Sequence, residues 1–307
     1  MTTPAVEGLL NAPYISLNEF RAAPTWIDTQ DLIPGGASVN EDDEMTNVLL
    51  RASAWADSYC GLRLGAHQSY EQTRARVDRQ GVIKLHPSNV PVRQLTGLAY
   101  GSDFQNLTQI TDFTQTWIED ARGIIVSSIP WRGSWAGSLE FGTAPPWGGE
   151  VYVVYSYVAG YASTTLASPA NAAATSLTLV DPTGLQPPNT TLIGTFGSST
   201  ARIWDPGLEE AVTVAPGYTA GANPVPIVSG LLNSHDTGTG VSEFPAEVHQ
   251  AVIALAVALL MREDVADDDP WPDAQYGPAA RRSGSGGRAG GLVETAWQLL
   301  DPYRRVR

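Results

Sequence analysis

The sequence predicts an α+β fold, with helices toward both ends of the chain and antiparallel strands between them. Three observations carry that prediction. Residues 40–61 repeat apolar side chains at helical spacing, residues 67–161 break into short runs between turn residues, and Pro245 introduces an apolar stretch long enough for another helix. With 307 residues and 43% hydrophobic content, the chain can bury a real core and is long enough for about two domains.

The first element is a short helix over Leu17–Ala22, with Ser16 as its cap and Glu19 three residues on. Residues 24–39, containing Pro34-Gly35-Gly36, read as loop. Asn40 then caps a helix whose first turn carries Glu41, Asp42, Asp43 and Glu44, placed to favour the positive end of the helix dipole. Its apolar face runs through Met45, Val48, Leu49, Ala52, Trp55, Ala56 and Tyr59, and Gly61 terminates it.

Strands are expected at 68–78, 82–85, 94–100, 116–119, 124–127 and 151–157, because Pro87, Pro91, Gly101, Gly123 and their like punctuate the runs. A Ser/Thr/Ala stretch at 162–174 reads as a linker into a second β-rich unit reaching about Phe244. Within it, 176–180, 191–195, 201–204, 210–214 and 226–229 are strand candidates. Pro245 then starts a helix over 246–262 whose segment Ala251–Met261 is apolar on every side. Such a helix must be covered all round, either by its own chain or by a subunit interface. Residues 263–291 read as linker, 292–300 as a last short helix, and the end as a basic tail.

Charge and cysteine usage narrow the function. A net charge of -14 argues against wrapping nucleic acid, which needs clustered cations. It would suit the wall of a channel through which DNA slides, although it is also ordinary for a soluble protein. From Arg281 onward six arginines face only Glu294 and Asp301, a local charge of +4 that suggests docking on an acidic partner. The single Cys60 cannot form an internal disulfide, and residues 1–10 lack a signal-like pattern, so a reducing cytoplasm is the expected compartment. The longest apolar run, Ala251–Met261, is too short to span a membrane.

The sequence carries no complete catalytic or metal-binding motif. His67, His86, His235 and His249 lack metal-site spacing, and Cys60 reads as a small core residue. Gly133-Ser134-Trp135-Ala136-Gly137 has its serine one place too early for a nucleophile elbow. Gly284–Ala289 matches a dinucleotide fingerprint without the preceding strand, and the acids Asp264, Asp267, Asp268, Asp269 and Asp273 lack the order of a calcium loop. No catalytic residue, cofactor or metal is expected. Trp131, Trp135, Trp147 and Trp271 read as core or interface anchors more readily than as stacking platforms.

Several segments in succession resemble the head-to-tail adaptor (head completion) family of long-tailed bacteriophages. They are Tyr14–Phe20, Ala54–Gly61, Pro91–Leu95, Val154–Tyr161, the Pro245-initiated helix, and Leu299-Leu300-Asp301-Pro302-Tyr303-Arg304-Arg305. The resemblance implies a helical bundle built from both chain ends with an antiparallel β region, divided as adaptor core 1–167 and 245–307. Residues 168–244 depart from the compact pattern and read as an inserted β-rich domain. The implied role is structural and non-enzymatic: a closed ring, usually of twelve copies, in the virion neck between the portal and the head-closure or other tail proteins. Genomic DNA would cross its lumen without specific binding.

Expected portal-docking residues are Arg281, Arg282, Arg288, Tyr303, Arg304, Arg305 and Arg307. Expected subunit-packing residues are Met45, Leu49, Trp55, Tyr59, Val252, Leu255 and Leu259. Rival readings are a tail terminator, a glycan-binding decoration protein, and a glycan hydrolase, for which no carboxylate pair can be assigned.

Overall fold

The computed structural model describes residues 12–25, 27, 29, 38–78, 81–119, 123–128, 150–187, 199–265 and 288–304. Its architecture is α+β. The helices are α1 (Leu17–Ala22), α2 (Ser38–Cys60), α3 (Ala246–Val265) and α4 (Arg288–Leu300), followed by a 3₁₀ turn over Asp301–Tyr303.

Helix α1 starts as its sequence dictates, with Ser16 Oγ accepting the Glu19 backbone N–H at 3.2 Å. Helix α2 begins two residues before the expected cap, which puts Asn40 inside the first turn. Residues 38–39 contain no helix breaker, which lets the helix start two residues earlier. At its other end Gly61 adopts φ +68°, and its N–H returns to Asp57 O at 2.9 Å. Helix α4 begins four residues earlier than composition suggests, taking Gly290 and Gly291 into the helix. Each glycine costs about 1 kcal/mol in a helix interior. The packing of Val293, Ala296 and Leu300 against the core at spacings of three and four outweighs that cost.

Helix α3 is the axis of the bundle. Val248, Ala251, Val252, Leu255, Ala256 and Ala258 have no exposed surface, since α2 and α4 cover it from different sides. The chain itself therefore covers most of this apolar helix and leaves Ile253, Leu259 and Met261 partly exposed. Each large aliphatic side chain buried here contributes roughly 2 kcal/mol.

The middle of the chain forms two facing sheets. One has the strand order β1-β7-β3-β4, from β1 (His67–Arg76), β7 (Glu150–Ala159), β3 (Val92–Gly101) and β4 (Leu107–Ile110). The other has the order β2-β6-β5, from β2 (Val82–Leu85), β6 (Ile124–Ser128) and β5 (Thr116–Glu119). Pairing of β1 with β7 runs unbroken from His67↔Ala159 to Arg76↔Glu150. The period of two sends Val151, Val153, Tyr155 and Tyr157 inward to meet Ile83, Leu85 and Ile125 of the opposite sheet.

A second β unit follows. Its sheet has the order β11-β10-β13-β8, from β11 (Glu210–Thr213), β10 (Thr200–Trp204), β13 (Gly240–Ser242) and β8 (Ser163–Thr165). A two-stranded pair joins β9 (Ser176–Leu177) to β12 (Val225–Pro226). The stretch 162–174, expected as linker, is instead structural: β8 pairs with β13, and Leu166 and Ala170 bridge to Leu179 and His235. Ala162, Leu166 and Ala170 are buried, so a stretch that looks low in information supplies core. The strand candidate 191–195 lies outside the described residues.

Candidate assembly surface

The expected subunit-packing residues separate into two groups. Met45, Leu49, Val252 and Leu255 have no accessible surface in the single chain. They pack in the core that α2 and α3 share within the one chain. Helical periodicity shows that a face is buried without showing what buries it. Trp55, Tyr59 and Leu259 keep part of their surface while packing on the rim of the same core.

Tyr59 sits at the centre of a layered cluster. Its ring lies parallel to Trp297 of α4, with centroids 5.3 Å apart and planes within 4°. Its hydroxyl donates to Asp301 Oδ1 at 2.6 Å, and the Arg304 guanidinium covers its ring at 5.5 Å. Burial and the Asp301 carboxylate hold the Tyr59 hydroxyl above its usual pKa, which keeps it a donor. The cluster closes the bundle where the chain turns from α4 through Asp301 to Arg304. Tyr303 packs half-buried against the core. Of the other expected docking residues, Arg288 lies in the first turn of α4, and Arg281, Arg282, Arg305 and Arg307 lie outside the described residues.

Two junctions tie the second β unit to the rest of the chain. At the first, Arg93 donates its Nε to Gly160 O at 2.9 Å, pairs with Glu243 Oε2 at 2.9 Å, and lies 5.3 Å over the Tyr161 ring. The planar guanidinium serves all three partners at once. At the second, Ser242 Oγ lies 2.8 Å from His249 Nε2, and His249 Nδ1 lies 2.5 Å from Glu19 Oε1. This links β13, α3 and α1 in series beside a cleft of about 220 Å³. The sequence hid both junctions, because their partners are separated by 150 and 230 positions.

The Ser242–His249–Glu19 order is that of a nucleophile, base and acid. Its setting is not. Ser242 lies on β13, held in the middle of the sheet by pairing with Arg202 on one side and Ser163 on the other. It is 3% exposed, and its Oγ already accepts the Trp204 indole N–H at 3.0 Å. A strand interior offers no sharp turn to present the hydroxyl and no pair of converging N–H groups for an oxyanion. His249 is also stacked on Trp204, with centroids 4.0 Å apart. With Ser242 Oγ accepting from Trp204, both ring nitrogens are paired when the serine hydroxyl donates to Nε2 and Nδ1–H donates to Glu19 Oε1, while the buried Glu19 Oε2 has no partner. The arrangement is a buried clamp.

Among the described residues no cluster of His, Cys, Asp and Glu is arranged to hold a metal ion. His67 is buried with Nδ1 2.8 Å from Gly65 O, and His86 is exposed. Cys60 lies in the core, where burial pushes its thiol up to about 12. No helix among the described residues is long and apolar enough to cross a membrane.

The fold is α+β, and among the described residues these polar clusters join separate parts of it. No family model matches the chain, and no curated protein matches it. Among solved structures, a chain from the neck of an empty GTA particle, computed with C6 symmetry, aligns with 96% of this chain and 95% of its own length. The TM-score is 0.34 and the sequence identity 13%.

Proposed function

We propose that the chain is a structural protein of a bacteriophage neck, a head-to-tail adaptor. It closes into a ring, with twelve copies expected, between the portal and the head-closure or other tail components, and lets DNA pass through its lumen during ejection. It resides at the head-tail interface of the virion, and in the host cytoplasm during assembly.

The observation that carries this reading is where the adaptor-like segments fall in the fold. Ser16 caps α1 and Arg93 clamps the junction to Gly160 and Glu243. The terminal Asp301-Pro302-Tyr303-Arg304 closes the bundle through Tyr59. Segments far apart in sequence thus form the joints of a single scaffold, which supports reading them together. The basic end is delivered from an anchored point, as a docking tail requires, and its charge is opposite to that of the rest of the chain.

The test is binding to the portal. Removing residues 281–307 would also remove α4 and with it part of the core, so the informative changes are confined to the end of the chain. Arg305→Glu with Arg307→Glu should weaken co-sedimentation with purified portal rings while leaving the fold intact. Undiminished binding would refute the docking role of the tail.

A further inference from the structure

The large apolar side chains left exposed among the described residues fall into two sets. Tyr70 (50% exposed) lies on β1, Val90 (36%) and Phe104 (44%) lie in the bends before and after β3, and Val180 (67%), Leu208 (44%), Val228 (61%) and Leu232 (81%) belong to the second β unit. Resting on the ring reading, we propose that these sets meet across the subunit boundary. The leucine-bearing acidic tip of the second β unit in one copy docks on the outer face of the four-stranded sheet in the next.

The tip is pre-organised. Glu210 gathers two loops, accepting the N–H of Leu232 at 2.8 Å and of Asn233 at 3.1 Å, while Asn233 Nδ2 reaches Leu208 O at 3.5 Å. His235, with no exposed side-chain surface, locks the arrangement between Asp205 Oδ2 at 2.9 Å and Glu210 Oε1 at 2.8 Å. Leu208 and Leu232 are thereby held outward on pinned loops, and docking them orders little new chain. The surroundings are acidic. From residue 162 to 243 the charges are Asp181, Asp205, Glu209, Glu210, Asp236 and Glu243 against Arg202 alone.

The receiving face carries Arg74 and Arg76, with the exposed Glu150 opposite Arg76 in the register. Alternation along β1 exposes Gln68, Tyr70, Gln72, Arg74 and Arg76 on the side away from the core. The Arg74 guanidinium lies 4.8 Å over the Tyr152 ring, and Phe104 meets Tyr152 edge-on at 4.5 Å. Arginine and aromatic residues, stacked in advance and open to solvent, are the residue types that dominate interface hot spots. A guanidinium stacked in this way still presents its N–H edge to a carboxylate. Contact between two different patches passes from copy to copy and closes into a ring when the rotation permits.

Charge reversal in full-length chains tests the contact, with sedimentation velocity and electron microscopy reporting assembly. Arg74→Glu with Arg76→Glu alters the face, and Glu209→Arg with Asp236→Arg alters the tip. All four side chains are exposed, and circular dichroism checks that the fold persists. Either pair alone should raise the concentration needed for assembly by about tenfold or more, and all four changes in one chain should restore it. Normal assembly by both altered pairs would overturn this contact and leave the ring reading standing. Loss in both without rescue would overturn the pairing. A wild-type chain that stays monomeric even with portal present would overturn the ring reading and this contact together.

Discussion

His249 Nδ1 lies 2.5 Å from Glu19 Oε1, so a short helix near the start of the described chain is tied to the bundle axis 230 residues later. Because the link ends on buried Ser242, cutting it should cost stability and leave no catalytic trace. His249→Ala strands the Glu19 carboxylate and should lower the unfolding free energy by about 2 kcal/mol, while Ser242→Ala should cost about 1 kcal/mol. Urea denaturation measures both. Ester hydrolysis by the wild-type chain that disappears in Ser242→Ala would refute the clamp interpretation.

The Asp57 carboxyl accepts the Tyr14 hydroxyl and the Leu64 N–H. Burial nevertheless raises it from its ordinary 3.8 to about 6. The folded chain holds this proton more tightly than the unfolded chain does. The resulting stabilisation is fully present below about 3.8 and is lost as pH rises through about 6. Asp57→Asn removes the titration and keeps an acceptor for both donors. The stability of the variant relative to wild type should therefore rise between about pH 4 and pH 6 and level off above. Parallel profiles in denaturant titrations across that range would contradict this.

The Arg93–Glu243 pair is mostly withdrawn from solvent, with side-chain exposures of 21% and 5%. Glu243→Ala leaves the guanidinium without its charge partner and should destabilise the chain by about 3 kcal/mol. Arg93→Lys keeps the charge, yet a single ammonium cannot serve Gly160 O, Glu243 and the Tyr161 ring together, so a measurable loss of about 1 kcal/mol is expected. Thermal unfolding of both variants checks this. A lysine variant as stable as wild type would mean that the fork geometry contributes nothing.

Helix α4 and the turn that follows it to Arg304 should be part of the folding unit, whereas the residues after Arg304 should not. Leu300 is fully buried, and Leu300→Ala should cost about 3 kcal/mol through lost contacts and a residual cavity. Truncation after Arg304 should leave Tm unchanged, because it spares the stack of Arg304 on Tyr59. Equal losses in the two proteins would place the tail inside the core.

Local signals in the sequence predicted most elements of this fold. The Ser16 cap, the apolar stripe of α2, the Gly61 terminus and the strand runs are short-range features read at periods of 3.6 and 2. Long-range choices were not legible in the same way. Helical spacing marked Met45, Leu49, Val252 and Leu255 as buried, but their partner is the same chain. Gly290 and Gly291 look like linker because the contacts that hold α4 lie on α3. The segment 162–174 looks like linker because alanine, serine and threonine carry little hydrophobic contrast, although its register with β13 and the core makes it structural. Polar joints such as Arg93–Glu243 and Glu19–His249 show themselves only once the fold brings the pairs together.

The proposed role is that of a neck adaptor. Negative-stain imaging of the purified full-length chain mixed with its portal tests it most directly. A neck adaptor should give a closed ring stacked coaxially on the portal, lost or weakened when Arg305 and Arg307 carry the opposite charge. A chain that remains monomeric and separate from the portal at every concentration tested would contradict it.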